Sequence, residues 1–149
     1  MRYQTASAAQ TIALGKKLAK TFRGGEVIAL FGELGAGKTT LVKGIAAGLG
    51  IRKVITSPTF LLMRVYPARH KKIQTLVHLD CYRIKNATEI SALGLAEYLG
   101  RDDAVVVIEW PERIKKLLPR RRLEIRLQLS QQSKKHLITT PYHGTNTWR

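Results

Sequence analysis

Residues Gly32-Glu33-Leu34-Gly35-Ala36-Gly37-Lys38-Thr39 carry the glycine spacing and the terminal Lys-Thr pair of a phosphate-binding loop. Gly32, Gly35 and Gly37 permit positive φ and close backbone approach, so that successive N–H groups can converge on phosphate oxygens. A helix starting near Lys38 adds the positive end of its dipole. In such a loop the lysine, Lys38, reaches the β- and γ-phosphates of a nucleoside triphosphate, and the hydroxyl of Thr39, followed by Thr40, takes Mg²⁺. The sequence contains neither Asn-Lys-x-Asp nor Thr-Lys-x-Asp, the guanine-reading elements, which favours ATP over GTP.

Phosphoryl chemistry also needs carboxylates at the carboxyl ends of neighbouring strands. Asp80 follows Leu76-Val77-His78-Leu79, and Glu109 follows Val105-Val106-Val107-Ile108. One of the two would hold Mg²⁺ through water while the other orients or deprotonates the attacking water, and the sequence leaves the assignment open. Strand alternation places His78, Asp80 and Tyr82 on one face; His78 itself reads as a structural histidine sooner than a catalytic one. Ser57-Pro58-Thr59 is either a γ-phosphate-sensing switch loop or a simple turn. Trp110 either shields the site, meets a partner or packs in the core.

The elements needed to position these groups are legible in outline. Apolar spacing over 5–22 predicts a helix stopped at Gly24-Gly25. Glu26–Phe31 is a buried strand, and Lys38–Ala47 the helix after the glycine loop, which is the context that the motif requires. Phe60–Tyr66 and Ile73–Asp80, joined through Pro67 and a basic turn, predict a hairpin. A helix is expected over Thr88–Leu99 with an Asn86/Glu89 capping box. Ala104–Ile108 forms a strand buried on both faces, and Pro111 begins a short helix through Leu117. Arg122–Leu129 is a late strand, with a short one at His136–Thr140. These add up to an α/β fold: a single P-loop NTPase-like domain over residues 1–130 with a mixed, mainly parallel sheet flanked by helices. Residues 131–149 are expected as a basic and polar tail, frayed beyond the short strand.

The chain has 149 residues, 44% hydrophobic and 24% charged, ordinary values for a globular protein. No apolar run approaches the ~20 residues of a membrane helix. The N-terminus lacks a signal-peptide pattern, and the single cysteine, Cys81, excludes an internal disulfide; a cytoplasmic location is expected. Lys and Arg number 26 against 10 acids, a net charge of +16. Residues 111–149 hold 10 of those bases and 2 of those acids. Such an excess suits a polyanionic partner, although a solvated basic face has the same composition.

Taken together, Gly32–Thr40 (GELGAGKTT), Ser57-Pro58-Thr59-Phe60, His78-Leu79-Asp80-Cys81-Tyr82-Arg83 and Ile108-Glu109-Trp110-Pro111 resemble, in this order, the TsaE (YjeE) family of bacterial P-loop ATPases. The resemblance runs from about residue 5 to 118. It implies ATP binding and hydrolysis serving the threonylcarbamoyladenosine modification of tRNA, alongside TsaD and TsaB. It further implies that Lys38 and Thr39 are phosphate and Mg²⁺ ligands, that Thr59 belongs to a switch-like loop, and that Asp80 and Glu109 are the catalytic and metal-associated acids with Trp110 beside them. The high positive charge is unusual for that family, and a contact with tRNA from the basic surface is one expectation it raises. Two other classes share the loop: a small-molecule kinase, which needs an arginine-bearing lid that is not evident here, and a nucleic-acid-binding module regulated by ATP.

Overall fold

The computed structural model describes residues 1–140. Its strands are β1 (Arg2–Thr5), β2 (Val27–Phe31), β3 (Met63–Pro67), β4 (Thr75–Asp80), β5 (Ala104–Glu109), β6 (Leu123–Leu129) and β7 (His136–Thr139). Its α-helices are α1 (Ala8–Ala19), α2 (Lys38–Gly48) and α3 (Ala87–Ala92), with 3-10 helices at Leu95–Glu97 and Pro111–Leu117. The strands form one sheet in the order β1-β7-β6-β2-β5-β4-β3.

The centre of the sheet, β6-β2-β5-β4, is parallel. Its two margins are antiparallel: β3 on β4 at one end, β7 on β6 and β1 on β7 at the other. The mixed sheet is as expected, but parallel pairings dominate only the middle; the count of pairings is even. β2 and β5 are buried almost throughout, as strands covered on both faces must be. One face meets α1 and α2 through Ile28, Leu30, Val105, Ile125 and Leu127. The other meets α3 and the 3-10 helices through Val77, Leu79, Val106 and Ile108.

Helix α1 starts at Ser7, whose hydroxyl accepts from Gln10 N–H at 3.2 Å, and the Asn86/Glu89 capping box forms at α3 as expected. The two helices α1 and α2 touch backbone to backbone. A Cβ on Gly44 would fall 2.3 Å from the Ile12 carbonyl oxygen, and one on Gly15 2.5 Å from that of Leu41.

Two expectations are corrected, and one strand is added. The helix over Thr88–Leu99 is two pieces, because Gly94 takes φ 74°, a left-handed conformation that ends α3 before a 3-10 turn. The first hairpin strand begins at Met63, not Phe60, after Leu62 turns through φ 64°. β1 was not anticipated: Arg-Tyr-Gln-Thr has little apolar signal, and its strand conformation comes from pairing with β7, more than 130 residues away. The short strand expected near 136 is present, and it carries the sheet to Thr139, past residue 130. The expectation of a frayed tail concerns residues 141–149, outside those described. Among the described residues no helix is long and apolar enough to cross a membrane.

Candidate nucleotide site

The loop 32–37 connects the buried strand β2 to α2 at the carboxyl edge of the sheet. Gly37 caps the helix at φ 96°, a conformation open to glycine and costly for a residue with a Cβ. Gly32 serves packing: a Cβ there would lie 2.5 Å from the Leu127 carbonyl oxygen of β6. The next two strands deliver the acids. In the parallel register Asp80 stands opposite Glu109, and Glu109 opposite Leu30, the penultimate residue of β2.

A cleft of about 340 Å³ opens there, lined by Leu34, Gly35, Gly37, Lys38, Thr39 and Thr40 of the loop and helix. Ser57, Thr59, Asp80, Tyr82, Glu109 and Trp110 line its other side. Of the residues singled out from the sequence, Gly32, Glu33 and Ala36 do not line it. The Gly32 and Glu33 carbonyls instead accept hydrogen bonds from the Lys38 ammonium, the latter at 2.9 Å, and Ala36 is buried behind the loop.

Each acid has its own partners. The Thr39 hydroxyl donates to Glu109 at 2.9 Å to Oε1 and 3.2 Å to Oε2, and His78 Nε2 lies 2.8 Å from the same Oε1. Asp80 Oδ2 accepts from the Ser57 hydroxyl at 2.6 Å and the Thr59 hydroxyl at 3.2 Å, while Oδ1 accepts from the Tyr82 N–H at 2.9 Å. Asp80 and Glu109 are each only 3% exposed, and Lys38 5%. Burial pushes the Lys38 ammonium below its ordinary value; Glu109, Glu112, Asp80 and Glu33 pull the other way. The buried Asp80 and Glu109 carboxyl groups and the Thr39 hydroxyl present oxygen donors to the cleft. That hard-oxygen set suits a divalent cation such as Mg²⁺.

Trp110 sits at φ 56°, ahead of Pro111, in a left-handed conformation rare for an aromatic residue and found where structure over-determines it. Its ring lies 4.1 Å from the Lys38 ammonium and 5.0 Å from the Tyr82 ring, so it walls the cleft. Sequence reasoning undervalued His78, which touches Glu109 directly, and did not include Ser57 and Tyr82 among the site residues. Strand alternation had put His78 and Tyr82 on the Asp80 face, and that signal was sufficient to find both. His136, which meets the loop from β7, carried no signal at all.

A glycine loop between a central parallel strand and a helix, with acids at the ends of the two next strands, defines a P-loop nucleotide-binding fold. The family described as "Threonylcarbamoyl adenosine biosynthesis protein TsaE" matches residues 5–137, and the chain belongs to it. Proteins named tRNA threonylcarbamoyladenosine biosynthesis protein TsaE are similar over most of its length. The Mycobacterium tuberculosis protein is 38% identical over 133 residues, covering 87% of this chain and 79% of the relative. That of Streptomyces coelicolor is 44% identical, covering 76% of each chain. That of Bacillus subtilis is 38% identical, covering 84% and 75% respectively. The crystal structure of Bacillus subtilis YdiB superposes with a TM-score of 0.75 at 33% identity, covering 94% of this chain and 83% of that one.

Proposed function

We propose that the protein is a Mg²⁺-dependent ATPase that serves the threonylcarbamoyladenosine modification of tRNA together with TsaD and TsaB. The observation that carries this reading is the contact of Thr39 with Glu109: the metal-binding hydroxyl of the loop already touches a buried strand-end carboxylate. Family membership supplies the pathway.

The residues divide the work as follows. Backbone N–H groups of residues 35–39 and the Lys38 ammonium hold the phosphates. Thr39 and Glu109 form the metal-side pair, as the loop hydroxyl and strand acid do in P-loop enzymes generally. Thr39 and Glu109 would hold Mg²⁺, which would supply positive charge to offset that developing on the transferred phosphoryl group. Among the described residues no cluster of three or more His, Cys, Asp or Glu is arranged to cage a metal. Asp80 faces the cleft from the other side and is tethered to Ser57 and Thr59; it orients and accepts a proton from the attacking water. Breaking the Asp80 contacts frees the 57–59 loop to answer the γ-phosphate, which makes that loop a switch. Trp110 limits water beside Lys38.

Turnover of ATP is to be compared for the protein alone, with TsaD and TsaB, and with tRNA added. Slow hydrolysis alone and a marked rise with the partners is the expected result; equal rates in all three would sink the partner-dependent reading. For tRNA, the exposed face of β6, β7 and β1 suits contact, since Arg126 and Arg2 both stand opposite Thr139 across the strands. Arg2→Glu with Arg126→Glu should weaken tRNA binding and flatten its salt dependence. Unchanged binding would remove that face from consideration.

A further inference from the structure

His136 is the first residue of β7, paired with Thr5 of β1 on one side and Leu129 of β6 on the other. It is therefore held between two ladders. Its Nδ1 lies 2.9 Å from the carbonyl oxygen of Ala36, a residue of the phosphate loop 100 positions earlier. A carbonyl oxygen only accepts, so Nδ1 carries the hydrogen and the histidine donates. A Cβ placed on Gly37 would fall 3.5 Å from the same Nδ1, which puts the ring against the Ala36–Gly37 peptide.

That peptide is planar and trans, so its C=O and the N–H of Gly37 point in opposite directions. With the C=O turned toward β7, the N–H is turned away from it. The sheet order runs from β7 through β6 and β2 to β5 and β4, so this direction is that of Thr39, Glu109 and Asp80. A hydrogen bond accepted at the carbonyl also polarises the amide and strengthens its N–H as a donor.

We infer that His136 is a positioning residue for nucleotide binding: its Nδ1–H fixes the Ala36–Gly37 peptide so that the Gly37 N–H faces the phosphates. The inference rests on the nucleotide site proposed above, and extends it to a strand at the opposite margin of the sheet from the two acids. It acts before any chemistry. Peptide orientation in the free protein determines how much ordering of the loop remains to be done when phosphate arrives, and pre-organisation of that kind appears in affinity.

The test uses the full-length protein, ADP as the probe, and three substitutions. Asn places an amide N–H where Nδ1 sits; Gln carries its amide farther out; Leu keeps bulk and strand propensity without a donor. His136→Leu and His136→Gln should weaken ADP binding by roughly five- to tenfold, the scale of one hydrogen bond. His136→Asn should restore most of the loss, and kcat at saturating ATP should stay within about twofold of wild type in all three, since uniform binding alone is removed. Melting temperatures separate loss of the donor from loss of β7: Asn and Leu variants of equal stability must still differ in affinity. Wild-type affinity in His136→Leu, or equal losses in Leu and Asn, overturns the inference while leaving the site intact. Lys38→Ala is the companion control; undiminished ADP binding in it would overturn the nucleotide site, and the role of His136 with it.

Discussion

Thr39 and Glu109 are 70 residues apart in the chain, and the Thr39 hydroxyl shares its proton between both oxygens of the Glu109 carboxylate, at 2.9 and 3.2 Å. His78 holds the same carboxylate from β4. His78 Nε2 meets the Glu109 carboxylate, while its Nδ1 is buried with no hydrogen-bond partner among the described residues. Losing such an orienting partner typically costs 10–100-fold in metal affinity or activity. His78→Leu should lower ATP turnover by about that range, while His78→Gln, which retains an N–H donor, should lose less. Equal turnover in the Leu variant and wild type would remove His78 from the site.

The two acids should fail differently. Glu109→Gln should raise the Mg²⁺ concentration needed for half-maximal turnover, because it weakens the metal-side pair. Asp80→Asn should leave that concentration nearly unchanged and lower kcat by roughly 10²–10⁴-fold, the usual worth of a general base. A magnesium titration of both variants decides; the reverse pattern would exchange the roles.

The proposed phosphate role of Lys38 predicts that it stabilises the nucleotide complex at the expense of the free protein. Its ammonium is buried, and burial holds its pKa below the ordinary 10.5. Between that lowered value and 10.5 the native state binds fewer protons than the unfolded chain, so wild-type stability gains as pH rises through this window. Lys38→Met, neutral and similar in length, should melt at or above the wild-type temperature without nucleotide and should not share the pH-linked gain. It should also lose the stabilisation that ATP confers on the wild type. Thermal melts with and without ATP, at several pH values, measure all three.

Cys81 should be chemically silent. Burial, helped by Asp80 and Glu112, pushes its thiol up to about 12. Thiolate is the reactive form, so a thiol reagent at pH 8 should label the native protein hardly at all and the urea-unfolded chain readily. Since the native pKa is raised, this group's contribution to stability is complete below the unfolded value near 9 and is lost as pH climbs from there toward 12. Rapid labelling of the folded protein would mean that β4 opens locally.

Gly44→Ala tests the contact of α1 with α2. The added methyl meets backbone atoms of Ile12 and Gly15 that cannot rotate away. Overpacking of this kind costs about 1–3 kcal/mol, more than the helix propensity of alanine returns. Chemical denaturation should show the loss, with little change in the slope against denaturant.

Much of this protein is determined by local sequence. The loop 32–39 announces itself because its function depends on residue types at fixed spacing, and Val27–Phe31 and Ala104–Glu109 read as buried strands because both faces are apolar. The alternation of β4 placed His78, Asp80 and Tyr82 on one face without any knowledge of the fold. What the sequence could not determine is which distant groups meet. Whether Asp80 or Glu109 touches Thr39 depends on sheet order, and only the placement of β5 directly beside β2 brings Glu109 there. β1 has no apolar pattern because an edge strand gains its conformation from its neighbour. His136 reaches Ala36 because β7 folds back beside β6, a pairing made by backbone hydrogen bonds that any residue can supply. Motifs record local geometry, and tertiary structure alone decides the contacts made by strands whose order in space differs from their order in the chain.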